Sequence, residues 1–148
     1  MLMKEKILIT GASGFAGKSL VKHLKKKKVK ITAVAFKNNK KQKSIKIDLT
    51  KKIYLKKKFD WIIHAAAYHK ISDFKYKPKQ KAKKNILMVK NLVNFAKENK
   101  VENFIYFSSI DINYSPYPPK KNIYCKSKNF CEKILISALR KKFLKKLI

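Results

Sequence analysis

Acidic residues are scarce. Asp and Glu number 8 against 39 Lys and Arg, which leaves a formal net charge of +31 at pH 7, and Arg140 is the only arginine. A surface built to grip nucleic acid mixes in arginine for bidentate contacts to phosphates and bases. Here lysine spreads over loops and helix faces alike, together with abundant Asn and Ile, which reads as a compositional bias. It attracts polyanions nonspecifically at low salt, and no specific nucleic-acid partner is expected. Cysteine is limited to Cys125 and Cys131. Six positions apart on one expected helix, they point in different directions and do not bridge each other. No apolar run approaches the roughly 20 residues that a spanning helix needs, so no membrane partner is expected. The first apolar run is a short strand broken by glycine, not a secretory leader. These absences point to a soluble, cytoplasmic protein in a reducing compartment. At 148 residues and 45% hydrophobic composition, residues 1–148 are read as one ordered domain.

Glycine is confined to one stretch, Thr10-Gly11-Ala12-Ser13-Gly14-Phe15-Ala16-Gly17. It follows the apolar Ile7-Leu8-Ile9 and leads into Ser19–Leu24, whose apolar residues recur at helical spacing. The pattern is strand, glycine turn, helix. Gly11 and Gly14 permit a tight turn and let a pyrophosphate approach bare backbone. Gly17 lets the helix pack close to the strand, and the helix N-terminus aims amides and a positive dipole end at the phosphates. The same residues carry a rival reading. Ala12 to Ser19 is one glycine short of a phosphate-loop motif in which Lys18 and Ser19 hold phosphate and magnesium. A triphosphatase also needs a strand ending in an acid to hold the metal, whereas Trp61-Ile62-Ile63 runs into His64.

Further along, strands are expected at 29–36, 44–47, 59–67 and 101–109. Helices are expected over a weak stretch at 51–57, over 82–98 and over 124–144, with loops at 68–81 and 110–123. Strand and helix alternate, which predicts an α/β fold: a Rossmann-like, doubly wound parallel sheet covered on both faces with right-handed crossovers. Where an NAD site places an acid, about 20 residues beyond the glycines, the sequence has Lys37, Lys40 and Lys41. Those ammoniums suit a 2′-phosphate and favour NADP over NAD. The small residues Ala65, Ala66 and Ala67 leave room for a ligand across the sheet. His64 reads as a packed core histidine. Tyr124 and Lys128 lie four apart on one helix face, so the cation is expected to favour the phenolate and draw it toward a useful range for a base. Ser109, ending the preceding strand, is placed to share a substrate oxygen with Tyr124.

The order of these parts carries a resemblance. TGASGFAG, the Asp48-Leu49 pair, His64-Ala65-Ala66-Ala67, Asn85 through Leu92, Phe107-Ser108-Ser109, and YCKSK followed by Glu132 succeed one another along the chain. Together they resemble the extended short-chain dehydrogenase/reductase family, the NAD(P)-dependent epimerase/dehydratase group that acts mostly on nucleotide sugars. The resemblance implies an enzyme of the oxidoreductase type. It implies cofactor contacts from Gly11, Ser13, Gly14, Phe15 and Gly17, and from Lys37, Asp48, Leu49, Ala65 and Ala66, with Asp48 on the adenine side. It implies Ser109, Tyr124 and Lys128 as the catalytic set, Lys128 also holding the nicotinamide ribose, and no metal site. It leaves open epimerase, dehydratase or reductase, a cofactor-binding fragment without turnover, and a homodimer in the full-length form. Two departures stand out. Cys125 occupies the place of a glycine that often follows the tyrosine, and the chain stops at Leu147-Ile148. There the family continues into a sixth strand and a C-terminal substrate domain, so that domain is expected to be absent and the edge of the fifth strand to be unpaired.

Overall fold

The computed structural model describes residues 4–36, 43–69, 77–114 and 122–148. The described elements run β1 (Lys6–Thr10), α1 (Phe15–Leu24), β2 (Lys30–Ala35), β3 (Ile45–Lys46), β4 (Trp61–His64), α2 (Pro78–Asn99), β5 (Asn103–Tyr106), α3 (Asp111–Tyr114), α4 (Ile123–Arg140) and β6 (Lys146–Leu147). The six strands form one sheet in the order β3-β2-β1-β4-β5-β6, and every pairing is parallel. The chain thus moves outward from β1 in one direction, then crosses back to β4 and moves the other way. The strand order reverses between β1 and β4, where a parallel sheet opens a crevice at the carboxyl ends.

Alternate residues of each strand feed two cores. Leu8, Ile62 and Phe104 pack with Val89, Leu92 and Phe95 of α2 and with Cys131 and Leu135 of α4. Ile7, Ile9, Ala33 and Ile63 pack on the other face with Val21 and Leu20 of α1. Both faces are covered, which is why the strands read as continuous apolar runs.

Several boundaries differ from the sequence reading. No helix forms over 51–57. The Asn91 amide donates to the carbonyls of Leu49 and Lys51, at 2.9 and 3.0 Å, and so takes the acceptors that a helix there would use internally. Helix α2 starts at Pro78, not at 82, because proline fits a first helical turn whose amide has no partner anyway. Residues 111–114 form a short helix inside the expected loop. Helix α4 ends at Arg140, where Lys142 turns left-handed (φ 59°) and the Phe143 amide closes back on the Ala138 carbonyl at 2.9 Å. The edge of β5 is not bare. Asn103 and Phe104 pair with Lys146 and Leu147, Ile148 donates to the Phe104 carbonyl at 3.0 Å, and Tyr106 donates to the Ile148 carbonyl at 2.8 Å.

Candidate functional site

The turn after β1 separates the three glycines by task. Gly11 sits at φ +72°, and a Cβ there would lie 2.5 Å from the Ala66 nitrogen, against the segment that leaves β4. A Cβ on Gly17 would lie 2.1 Å from the Gly11 carbonyl oxygen. The fold itself therefore requires both. Gly14 differs: its backbone is in an ordinary extended conformation, and a Cβ there meets only the Gly11 oxygen, at 3.2 Å. It is the N-cap of α1, and no side chain caps that helix end. The first-turn amides of α1 thus have no capping side chain, and they follow directly on Ser13 and Gly14 at the crevice between β1 and β4, with a positive dipole end behind them.

That crevice is a cavity of about 200 Å³. Gly11, Ser13 and Gly14 form its floor, with Ala65 and Ala66 on one wall and Asp48 and Leu49 on another. Seven of the residues expected to meet the cofactor are thereby brought together. Two are not: Gly17 is buried in the helix–strand contact, and Phe15 points outward at 95% exposure. Lys37, like Lys40 and Lys41, lies outside the described residues. Asp48 is held by Thr50, whose amide and hydroxyl donate to Oδ1 at 3.0 and 2.7 Å. The Thr50 hydroxyl chiefly keeps the carboxyl below its ordinary range, so it is an anion at neutral pH.

Sequence reasoning gave no task to the residues that hold the cavity's walls. Asn91 pins the Leu49–Lys51 wall, as described above. Asn85, 3% exposed, accepts from the Tyr68 amide at 2.8 Å and donates to the Tyr68 carbonyl at 3.0 Å, fixing the segment after β4. A buried amide on an otherwise apolar helix face was the available signal. Phe36, Tyr68 and His69 complete the mouth.

The second group lies at the carboxyl end of β5. Ser109 donates to Asp111 Oδ2 at 3.2 Å and hydrogen-bonds to Tyr124, which the first turn of α4 presents. Asn122 caps that helix by accepting from the Cys125 amide at 3.2 Å. Burial raises the Tyr124 phenol above its ordinary value. The Ser109 hydrogen bond opposes this, while Cys125 and Asp111 add to it. The pull toward the phenolate expected from Lys128 together with an oxidised nicotinamide is not among these influences. Lys128 is 3% exposed, its ammonium donates to the Phe107 carbonyl, and it lies 4.5 Å from the centroid of the Tyr106 ring. Burial lowers it to about 8. Its charge is committed to β5, so burial decides the state of Tyr124. His64 is a core histidine as read: it is 1% exposed, lies 2.6 Å from Thr10 Oγ1 through Nδ1, and is held neutral by burial, at about 3.

A model of the NAD dependent epimerase/dehydratase family matches residues 7–143. The chain belongs to that family. Solved structures of similar fold include the UDP-Glc/GlcNAc 4-epimerase of Campylobacter jejuni, at 22% identity and a TM-score of 0.78, with 93% of this chain and 50% of that one covered. The UDP-glucose 4-epimerase of Thermotoga maritima, solved with UDP-glucose, has 20% identity and a TM-score of 0.79 over 94% of this chain and 52% of that one. The UDP-glucose 4-epimerase of Thermus thermophilus, solved with NAD, has 19% identity and a TM-score of 0.76 over 95% and 53%. The chain thus spans about half the length of these structures. No curated protein sequence matches it. Within the family frame the phosphate-loop reading loses its footing. Helix α1 has already begun at Phe15, and Lys18 and Ser19 are exposed beyond its N-terminus. Among the described residues, no helix is long and apolar enough to cross a membrane.

Proposed function

We propose that the chain holds an NAD(P) cofactor in the glycine crevice and serves hydride-transfer chemistry on a nucleotide sugar, as an epimerase/dehydratase-type oxidoreductase. The observation that carries this reading is Gly14. Of the three glycines it is the least confined, with an added Cβ meeting only the Gly11 oxygen at 3.2 Å, and it stands before a helix end that no side chain caps. Ser13 and the α1 amides would receive the pyrophosphate, and Asp48 and Leu49 the adenosine end. Ala65 and Ala66 would let the dinucleotide cross the sheet toward β5. A half-open cleft of about 200 Å³ is below the roughly 300–1,000 Å³ of drug-sized pockets, so it would hold one part of an extended ligand. The bound nicotinamide supplies the hydride exchange. Ser109 orients the substrate hydroxyl, and Tyr124 passes its proton; Lys128 holds the ribose.

In the described arrangement Tyr124 keeps its proton and can donate it. To accept one, the phenol needs its charged form favoured against burial. The hold of Phe107 and Tyr106 on the Lys128 ammonium favours a second reading, a cofactor-binding unit without turnover. The lysines at 37, 40 and 41, with no acid between Ala35 and Ile47, support NADP over NAD.

Titration with NADPH, NADH and ATP–magnesium, followed by nicotinamide fluorescence and heat, tests the proposal. The expected order is NADPH, then NADH, with no ATP binding of comparable strength. Binding of ATP–magnesium alone would overturn it. UDP-glucose added with NADP or NAD then separates the two readings by turnover.

A further inference from the structure

On the α2/α4 face of the sheet, Leu8, Ile62 and Phe104 form one register row across β1, β4 and β5. Residues two apart on a strand share a face. The next row on that face is therefore Thr10, His64 and Tyr106, and it stands at the carboxyl ends where the crevice begins. Its members touch in sequence. Thr10 meets His64, whose ring stacks on that of Tyr106 with centroids 5.8 Å apart and planes 21° from parallel. The Cys131 thiol of α4, which donates to the Asn85 carbonyl at 3.7 Å, borders the Tyr106 hydroxyl. The Lys128 ammonium lies 4.5 Å from the ring's centroid and donates to the neighbouring Phe107 carbonyl. An ammonium with 3% exposure loses nearly all its hydration and must be compensated by what surrounds it. One carbonyl occupies one of its three donors, Glu132 and Cys131 favour the charge from α4, and the negative face of the Tyr106 ring lies against the ammonium.

We propose that Tyr106 is the positioning residue for Lys128, its ring face, backed by His64, holding the ammonium beside the Phe107 carbonyl at the end of β5. The inference builds on the reading of Lys128 as part of the catalytic set, and gives Tyr106 a task in it: to keep the amine charged and aimed while it is buried. Glu132 and Cys131 on α4, Tyr124 one turn earlier and His64 on β4 also face this region. They stay in place when only the 106 ring changes.

The test is lysine-selective NMR of the ε-methylene and ammonium groups, with the Lys128 signal identified by its loss in Lys128→Met. In the parent the signal is expected to show a ring-current shift and to titrate near pH 8. Tyr106→Phe should keep both. Tyr106→Leu, similar in bulk but without a ring face, should lose the ring-current shift and lower the midpoint by roughly 0.5–1.5 pH units. Should Tyr106→Leu not fold, a fluorinated phenylalanine at 106 keeps the shape, weakens the ring's negative face and should lower the midpoint relative to Tyr106→Phe. Equal midpoints in the ring and ringless variants, or in the plain and fluorinated rings, would overturn the proposal. NADPH affinity is read on the same samples. Absence of any dinucleotide binding in the parent would overturn the functional reading, while the Lys128 titration still decides the role of Tyr106.

Discussion

The glycine crevice and the Ser109–Tyr124–Lys128 group stand at the same end of one parallel sheet, but they are made of different material. The crevice is backbone: Gly11 against Ala65 and Ala66, Gly17 against Gly11, and a helix end without a cap. Its shape follows once β1, α1 and β4 pack. The second group is side chain, and its members answer to whatever surrounds them. Lys128 leans onto Tyr106 and Phe107, and burial, not the lysine, sets the state of Tyr124. A ligand site made of backbone is fixed by the fold. One made of long side chains is fixed only when each has a partner that holds it.

The largest expected effect breaks the crevice. Gly11→Val combines a left-handed φ of +72° with a Cβ 2.5 Å from the Ala66 nitrogen, and Gly17→Val places one 2.1 Å from the Gly11 oxygen. Either should cost more than about 4 kcal/mol and abolish cooperative melting, read by circular dichroism. A sharply melting Gly11→Val protein would contradict the packing described for β1 and β4.

Next in size is the row that joins the two regions. His64 is held neutral at about 3 by burial, far below its ordinary 6.5. The folded state therefore binds fewer protons than the unfolded one between those values. Stability should be full above pH 6.5 and fall by a few kcal/mol as pH drops toward 3. His64→Asn should flatten that limb in urea melts from pH 7 to 3. The Asp48 contribution, lost only as pH falls below about 4, should remain. An unchanged acid limb in His64→Asn would contradict the assignment.

These two regions also mark how far the sequence could be read. The glycine turn, the alternation of strands and helices and the packed His64 all rest on local pattern, and they survive intact. The helical look of segment 51–57 is local too, but the Asn91 amide that claims its carbonyls comes from 40 or more positions away. The start of α2 slips by four residues because a lysine-rich loop and a lysine-rich helix face look alike. The direction of Lys128 was not legible at all: Tyr-x-x-x-Lys fixes the helix face, and tertiary packing decides where a four-carbon stem ends.

The smallest effect follows from the confinement of glycine to one turn. The left-handed residue at the end of α2 is Lys100, at φ 55°. Lys100→Gly should stabilise the chain by about 1 kcal/mol by removing the Cβ clash at that position, with no change in ligand affinity. A loss of stability on thermal melting would count against it.

Gly14 carries the proposal, because of the three glycines it is the one whose added Cβ presses least on the fold. The direct test is NADPH titration calorimetry on the parent protein and Gly14→Val, with thermal melts of both. The account predicts that Gly14→Val loses some stability, its Cβ pressing on the Gly11 oxygen at 3.2 Å, but still melts cooperatively and loses dinucleotide binding. A folded Gly14→Val protein that binds NADPH as the parent does would contradict it.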